Sequence, residues 1–330
     1  MARKNEKKQV VSYENSIKKS NEFSMAKLNH GLTLQQMQLL AYAIYSTQQD
    51  GKTEFRKADF EKKFSLSRYL TEDAYKDSDR IMGLKTSIED LENAKFKFWN
   101  VFSSMEYDNG KFTFEWNPKM IPHILELKEK YIVTDLTITS QFKSGFSWTL
   151  YDYLKAHYGY WHKPLSKEAL MKLFGVENKK TYKNNTGRFK TSVLDVAIEE
   201  INKYTELKAW YVEEKEGRAI VGFDLHWSIG ETVSSATKKQ IKELKTITDT
   251  IHQDMFKYVN LKNHENREKA IEIVKKSEEM SLYTVEPICI TKERVEMLIL
   301  DANWCLRELE HMLEMDSKEQ IPFYNWLEEK

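Results

Sequence analysis

Glycine and proline are scarce in this chain, at 11 and 5 of 330 residues. With so few breakers, most of the chain must be regular structure. Cysteine is scarcer still. Cys289 and Cys305 are the only two, both in the last fifth and without a C-x-x-C context. A chain of this size needs no disulfide staple, and reduced thiols are the expectation. No apolar run approaches the ~20 residues of a membrane span. The opening "MARKNEKKQVVSYENS" has no apolar core of a secretory signal. A cytoplasmic protein with no membrane contact is expected.

Catalytic signatures are lacking as well. There is no G-x-x-x-x-G-K-[ST], no glycine-rich dinucleotide loop and no G-x-S-x-G. A rolling-circle nuclease would hold a metal through His-x-His. The histidines are His30, His123, His157, His162, His226, His252, His264 and His311, and no two are one residue apart. His157 and His162, in "HYGYWH", are the closest pair. With no acid or cysteine in that stretch they read as packed or surface residues. No catalytic residue, metal or cofactor is expected, and the chain is read as a non-enzyme.

A composition of 41% hydrophobic and 31% charged residues is that of a globular protein, and the length implies two or three domains. Basic and acidic residues balance to a net charge of +0. The sum says nothing about nucleic acid; the distribution does.

The chain to about Ser12 is basic and polar, and reads as a mobile tail. "LTLQQMQLLAYAIYSTQQ" is a helix with Thr33 as N-cap. "RKADFEKKF" is a short helix with Phe60 and Phe64 on one face. "LTEDAYKDSDRIMGLKTSIEDLENA" reads as a longer helix, with Ile81, Leu84, Ile88 and Leu91 in step. The period then changes to two: Phe96, Phe98, Asn100 and Phe102 alternate. Asp108-Asn109-Gly110 makes a hairpin turn, and Phe112, Phe114 and Trp116 return.

That order of helix, short helix, long helix and hairpin occurs again. "SGFSWTLYDYLKAHYGYW" is an aromatic helix, with Phe146, Leu150, Tyr153, Leu154 and His157 on one broad face. "PLSKEALMKLFGV" is a short helix N-capped by Ser166 and ended by Gly175. Thr186 to about Tyr204 is the long helix, with Phe189, Val193, Ala197, Ile201 and Tyr204 as its buried stripe. "ELKAWYV" and "RAIVGFDLHW" are hairpin strands, the second turning Val221, Phe223, Leu225 and Trp227 to one face. Helix, helix, helix and hairpin is the order of a winged helix, whose third helix enters a DNA groove while the hairpin meets the backbone.

The fold class is therefore α+β: tandem winged-helix domains, each of three helices and a β-hairpin wing, followed by a mostly α-helical C-terminal region. The division is a flexible basic tail at 1–12, a first winged helix at 13–136, a second at 137–229, a linker at 230–240 and an acidic helical region at 241–330. In that last region Val295, Leu298, Ala302, Cys305, Leu309 and Met312 recur at helical spacing. Its acidic helices suit a protein partner or an internal docking face, not a phosphate backbone.

Charge is unbalanced where it matters. From Gln141 to Lys190 there are ten basic residues and three acids, so the excess is local. It is densest at the start of the second long helix, where free N–H groups and the helix dipole already favour anions. Lys179, Lys180, Lys183, Asn184, Asn185, Thr186, Arg188 and Lys190 gather there, with Lys167 on the preceding helix. Arg can take guanine, Asn adenine, and Lys phosphate. Lys215 and Arg218 at the wing tip suit a flanking phosphate. The bland alternative for such a run is a solvated loop. In the first unit Arg68, Lys76, Arg80 and Lys85 are offset by Glu72, Asp73, Asp77 and Asp79. That unit is expected to touch DNA secondarily or to serve dimerisation.

Three segments carry a family resemblance: "NHGLTLQQMQLLAYAI", "LTITSQFKSGFSWTLYDYLKAHY" and "GRFKTSVLDVAIEEINKYTELKAWYVEEKEGRAIVGFDLHW". They resemble the replication initiator (Rep) proteins of theta-replicating, iteron-containing plasmids, which have two winged-helix domains. The resemblance spans about residues 10–230. It implies binding to double-stranded origin repeats, local opening of the origin and recruitment of a host initiator or helicase. It also implies a dimer that represses its own promoter, in equilibrium with a monomer that initiates. Trp148-Thr149 stands where many members have a basic residue before Leu-Tyr. A winged-helix transcriptional repressor with a C-terminal oligomerisation or partner-binding domain is the alternative. A third reading is an adaptor that works through its acidic helices.

Overall fold

A computed structural model describes residues 3–25, 31–90, 94–127, 129–157, 159–285 and 290–318. The chain divides into two compact units, Met1–Thr232 and Val233–Lys330.

The first unit contains both winged helices. In the first of these, helix Leu34–Asp50 starts in a capping box, with Thr33 and Gln36 satisfying each other's free N–H groups. It ends at Gly51, whose φ of +68° closes the turn. Strand Glu54–Arg56, helix Lys57–Lys63 and helix Thr71–Met82 follow. The wing is Phe102–Asp108 against Lys111–Trp116, turned at Asn109 and Gly110, both at positive φ. Phe102, Phe112, Phe114 and Trp116 point into the core as the alternation requires.

The third helix is shorter than its apolar spacing predicts. It stops at Gly83, and Lys85–Asp90 is instead a strand paired with Lys95–Asn100. Ile88 therefore lies on a strand, and Leu91 lies outside the described residues. Spacings of three and four also occur by chance in a strand, and the cross-strand partner is invisible locally. On the partner strand Phe96 and Phe98 are exposed, so the aromatic alternation there marks a surface face and not core.

The second winged helix repeats the plan. Helix Gly145–Ala156 leads to strand His162–Ser166, helix Lys167–Leu173 and a long helix from Thr186 to Tyr204. The wing is Leu207–Glu216 against Ala219–Ser234. In both winged helices a short strand after the first helix pairs with the second wing strand, a pairing between distant segments that local sequence does not reveal. Phe189, Val193, Ala197 and Ile201 are fully buried, as are Phe223 and Trp227, with Leu225 nearly so; Val221 is more exposed than its register suggests. Helix Gly145–Ala156 serves both halves: toward the first, Trp148 packs near Phe64 and Gly145 comes so close to Leu32 that a Cβ would lie 3.3 Å from its carbonyl oxygen, and toward the second Phe146 meets Phe174 edge-on at 5.7 Å. On the same helix the buried Asp152 pairs with Lys19 and accepts from Thr134 at 3.1 Å.

The N-terminal tail is not free. Arg3–Val11 is a strand on the sheet of the second wing. Lys7 donates to the carbonyls of Asn202, Thr205 and Leu207 at the end of the long helix. Asn5 donates to the carbonyls of Ser228, at 2.9 Å, and Glu206. A cation suits a helix C-terminus, and the sheet edge supplies the partners that a polar segment lacks by itself. Residues 230–240 are likewise no plain linker: the wing strand runs to Ser234, and a capping box at Thr237 opens the next helix.

The second unit is helical. Lys238–Gln253, Met255–Val259, His264–Ser281 and Lys292–Lys318 pack around one core. Val295, Leu298, Ala302, Cys305, Leu309 and Met312 are all in it. Cys305 is a buried free thiol, and burial raises its pKa; Cys289 lies outside the described residues. No described helix is long and apolar enough to cross a membrane.

Candidate nucleic-acid interface

The basic segment is built by caps. Ser166 Oγ accepts from Ala169 N at 3.1 Å and starts the short helix. Gly175, at φ +64°, turns the chain out of it. Where the sequence reads as loop, Lys180–Lys183 forms one helical turn. Asn185 Oδ1 accepts from Arg188 N at 2.9 Å and N-caps the long helix. That helix widens to a π turn over Lys190–Leu194, then continues as Asp195–Tyr204. Insertions of this kind re-aim side chains and recur at functional sites.

Two expected contacts are partly committed inward. Lys167 Nζ donates to Lys183 O and Thr186 Oγ1, each at 2.8 Å, and welds the short helix to the start of the long one. Lys190 pairs with Glu213 of the wing at 2.8 Å, and Lys215 meets the same carboxylate at 2.9 Å. Hydrogen bonding from Lys190, then Lys215, holds the Glu213 carboxyl below its usual range, and Glu213 raises Lys190 in turn. This is a brace between helix and wing. Tyr211 adds a second, donating to Asp195 at 2.6 Å.

The remaining predicted groups face solvent together. Lys179, Lys180, Lys183, Asn184, Asn185 and Arg188 are exposed around the helix start, and Thr186 is half-buried beside them. Lys179 also lies 5.9 Å from the Tyr182 ring centre. Lys215 and Arg218 are exposed at the wing tip, where Gly217 makes the turn at φ +61°. The surface offers ammonium, guanidinium and amide donors at a helix N-terminus, with two more cations at a hairpin tip.

In the first winged helix Arg68, Lys76 and Arg80 are exposed, while Lys85 stands on a strand beyond the helix. The acids that offset them in sequence are not all on that surface. Asp77 is turned inward, accepting from Gln36 at 3.0 Å and Tyr69 at 2.9 Å, and burial raises its pKa. Asp73 accepts from the backbone N–H of Leu70. The face is thus less balanced than a count of residues implies.

His162 is half-exposed, and the sheet brings it beside Asp224 and His226; among the described residues these three form the one group of His, Cys, Asp and Glu whose ligand atoms lie close enough together to hold a metal ion. The local signal was Asp-x-His within "FDLHW", which places both side chains on one face of a strand. The third member comes from a strand about sixty residues earlier, and spacing alone cannot find it.

Comparison with known proteins places this geometry. No curated protein sequence matches the chain. The crystal structure of Pi initiator protein in complex with iteron DNA is similar, with TM-score 0.52 and 20% identity, over 66% of this chain and 99% of that one. Two RctB structures, of domains 2 and 3, are more distant. Their TM-scores are 0.38 and 0.37 at 11% and 14% identity, covering 59% of this chain and 82% and 81% of theirs. Residues 16–155 match the family described as Initiator Replication protein, WH1, and residues 166–227 match Initiator Rep protein, WH2. The first match runs to residue 155 and so takes in all but the last residue of helix Gly145–Ala156, in keeping with that helix's packing on the first half. Together the two matches cover more than half of the chain, and it belongs to the initiator Rep proteins, DNA-binding replication initiators with two winged-helix domains.

Proposed function

We propose that this initiator reads double-stranded origin repeats with its second winged helix. Arg188 and Asn184 meet base edges, Lys179, Lys180 and Lys183 meet phosphates, and Lys215 and Arg218 reach a flanking backbone. The observation that carries the reading is the exposed cluster of donors on the first turn of the long helix, braced from behind by Lys167 and Glu213. The Pi initiator was crystallised with iteron DNA, and this chain covers 99% of it. Arg68, Lys76 and Arg80 of the first winged helix add secondary contacts. Two such readers span successive major-groove faces, roughly 34–36 Å apart. The exposed Phe96 and Phe98 support a dimerising role for the first domain. Autorepression by the dimer, initiation by the monomer, host recruitment, a cytoplasmic setting and the absence of catalysis complete the proposal.

The test is a polarisation titration on direct repeats from DNA next to the coding gene, with scrambled DNA as control, at physiological salt. Repeats should bind about 10³-fold or more tighter than scrambled DNA, stepping once per repeat. Preference for an inverted operator alone points to a repressor. Equal, salt-erased binding to both overturns the proposal.

A further inference from the structure

The second wing carries a cluster that DNA reading does not use. Strand His162–Ser166 pairs antiparallel with Ala219–Ser234, putting His162 opposite His226 and Pro164 opposite Asp224. Phe223, Leu225 and Trp227 fill the core face, so Asp224 and His226 stand on the other. His162 Nδ1 lies 3.1 Å from both Asp224 oxygens, and His226 Nε2 lies 3.0 Å from Asp224 Oδ2. The three ligand atoms all fall within 4.8 Å of one another. Ligands about 2.0–2.1 Å from a tetrahedral zinc stand about 3.3–3.4 Å apart; the two nitrogen–carboxylate separations lie within a few tenths of an ångström of that, and the two imidazole nitrogens, no more than 4.8 Å apart, need to close by at most about 1.5 Å through side-chain rotation. The rings are also held. Trp210 stacks on His226 at 5.4 Å and 8°, and Trp161 lies 4.1 Å from the His162 ring. The side chains are 39%, 21% and 15% exposed for His162, Asp224 and His226, which leaves a path for an ion and its water.

We propose that His162, Asp224 and His226 bind one divalent transition-metal ion, with zinc the best fit. Two imidazoles and one carboxylate suit Zn²⁺, Co²⁺, Ni²⁺ or Cu²⁺, whereas Mg²⁺ and Ca²⁺ prefer oxygen ligands throughout. Three protein ligands leave a position for water. The ion's role is a clip. His162 begins the edge strand that runs directly into helix Lys167–Leu173, and Lys167 holds the basic segment. The ion joins that strand to its neighbour at the end away from the helix. Arg218 at the wing tip is eight positions from His226, roughly 26 Å along an extended strand, so the ion sits apart from the proposed DNA contacts. The proposal rests on sheet geometry and stands whether or not those contacts are right.

The test uses the full chain without a histidine tag, stripped with chelator and dialysed. Equilibrium dialysis against Zn²⁺ should give one ion per chain, and Co²⁺ should give visible d–d absorption and quench tryptophan fluorescence. Asp224→Asn, His226→Asn and His162→Asn should each weaken uptake by at least about tenfold. His311→Asn, an exposed histidine in the second unit, should leave it unchanged. Asp224→Asn keeps the side-chain shape, and His162→Asn lies on the edge strand, so at least one variant is expected to fold; circular dichroism checks each. No uptake by the wild type, or uptake undiminished in the folded variants, overturns the proposal.

Discussion

At the residue scale the proposed interface separates into readers, phosphate contacts and braces. Arg188 is exposed on the first turn, where a guanidinium can grip a base edge. Arg188→Ala should cost about 1–3 kcal/mol and relax preference at one base pair, measured by competition with single-substitution repeats. Lys183→Ala should weaken all sequences alike and flatten the salt slope by about one unit. Glu213 is different in kind. Its carboxylate occupies both Lys190 and Lys215. Glu213→Gln should release both cations, so binding to scrambled DNA should tighten and its salt slope steepen by about one to two units. An unchanged slope in that variant would remove Lys190 and Lys215 from the interface. Composition revealed the basic cluster but not its division of labour. Whether a lysine faces DNA or a neighbouring carbonyl depends on the partner that folding brings to it, as Lys167 shows.

At the element scale, caps and periodicities were the legible part. Thr33, Ser166 and the Asn109-Gly110 turn act where local chemistry puts them. Elements defined by distant pairing were not legible. Strands Arg3–Val11 and Lys85–Asp90 have no local apolar alternation that outweighs their polar or helical appearance; their partners make them strands. The first is held through close approach at Gly230, where a Cβ would lie 2.3 Å from Lys7 O and 2.9 Å from Glu206 O. Gly230→Ala should therefore lower stability by about 1–3 kcal/mol, read from the denaturant midpoint. A midpoint equal to wild type would mean that the strand can lift away at no cost.

At the scale of the whole molecule, two units with separate cores imply separable folding. Residues 1–232 produced alone should fold and bind origin repeats within about threefold of the full chain, a difference under 1 kcal/mol. A larger loss would assign part of the DNA affinity to the helical unit. The tandem repeat of helix, helix, helix and wing was readable because the same order of periodicities appears twice. The grouping of His162, Asp224 and His226 was not, since its two strands meet only in the folded sheet.

The pairing of Arg3–Val11 with the last strand of its unit has a temporal side. Asn5 and Ser228 touch although 223 positions separate them. On a ribosome adding about 5–20 residues per second, that interval is roughly 10–45 s. Throughout it the first strand emerges without its partner, and the C-terminal end of the long helix has no Lys7 to meet its carbonyls. The second winged helix is therefore completed by residues made well before its own helices, and only after the wing has been made. An initiator assembled in this order carries its full proposed reading surface late in synthesis, long after its first winged helix is free to fold.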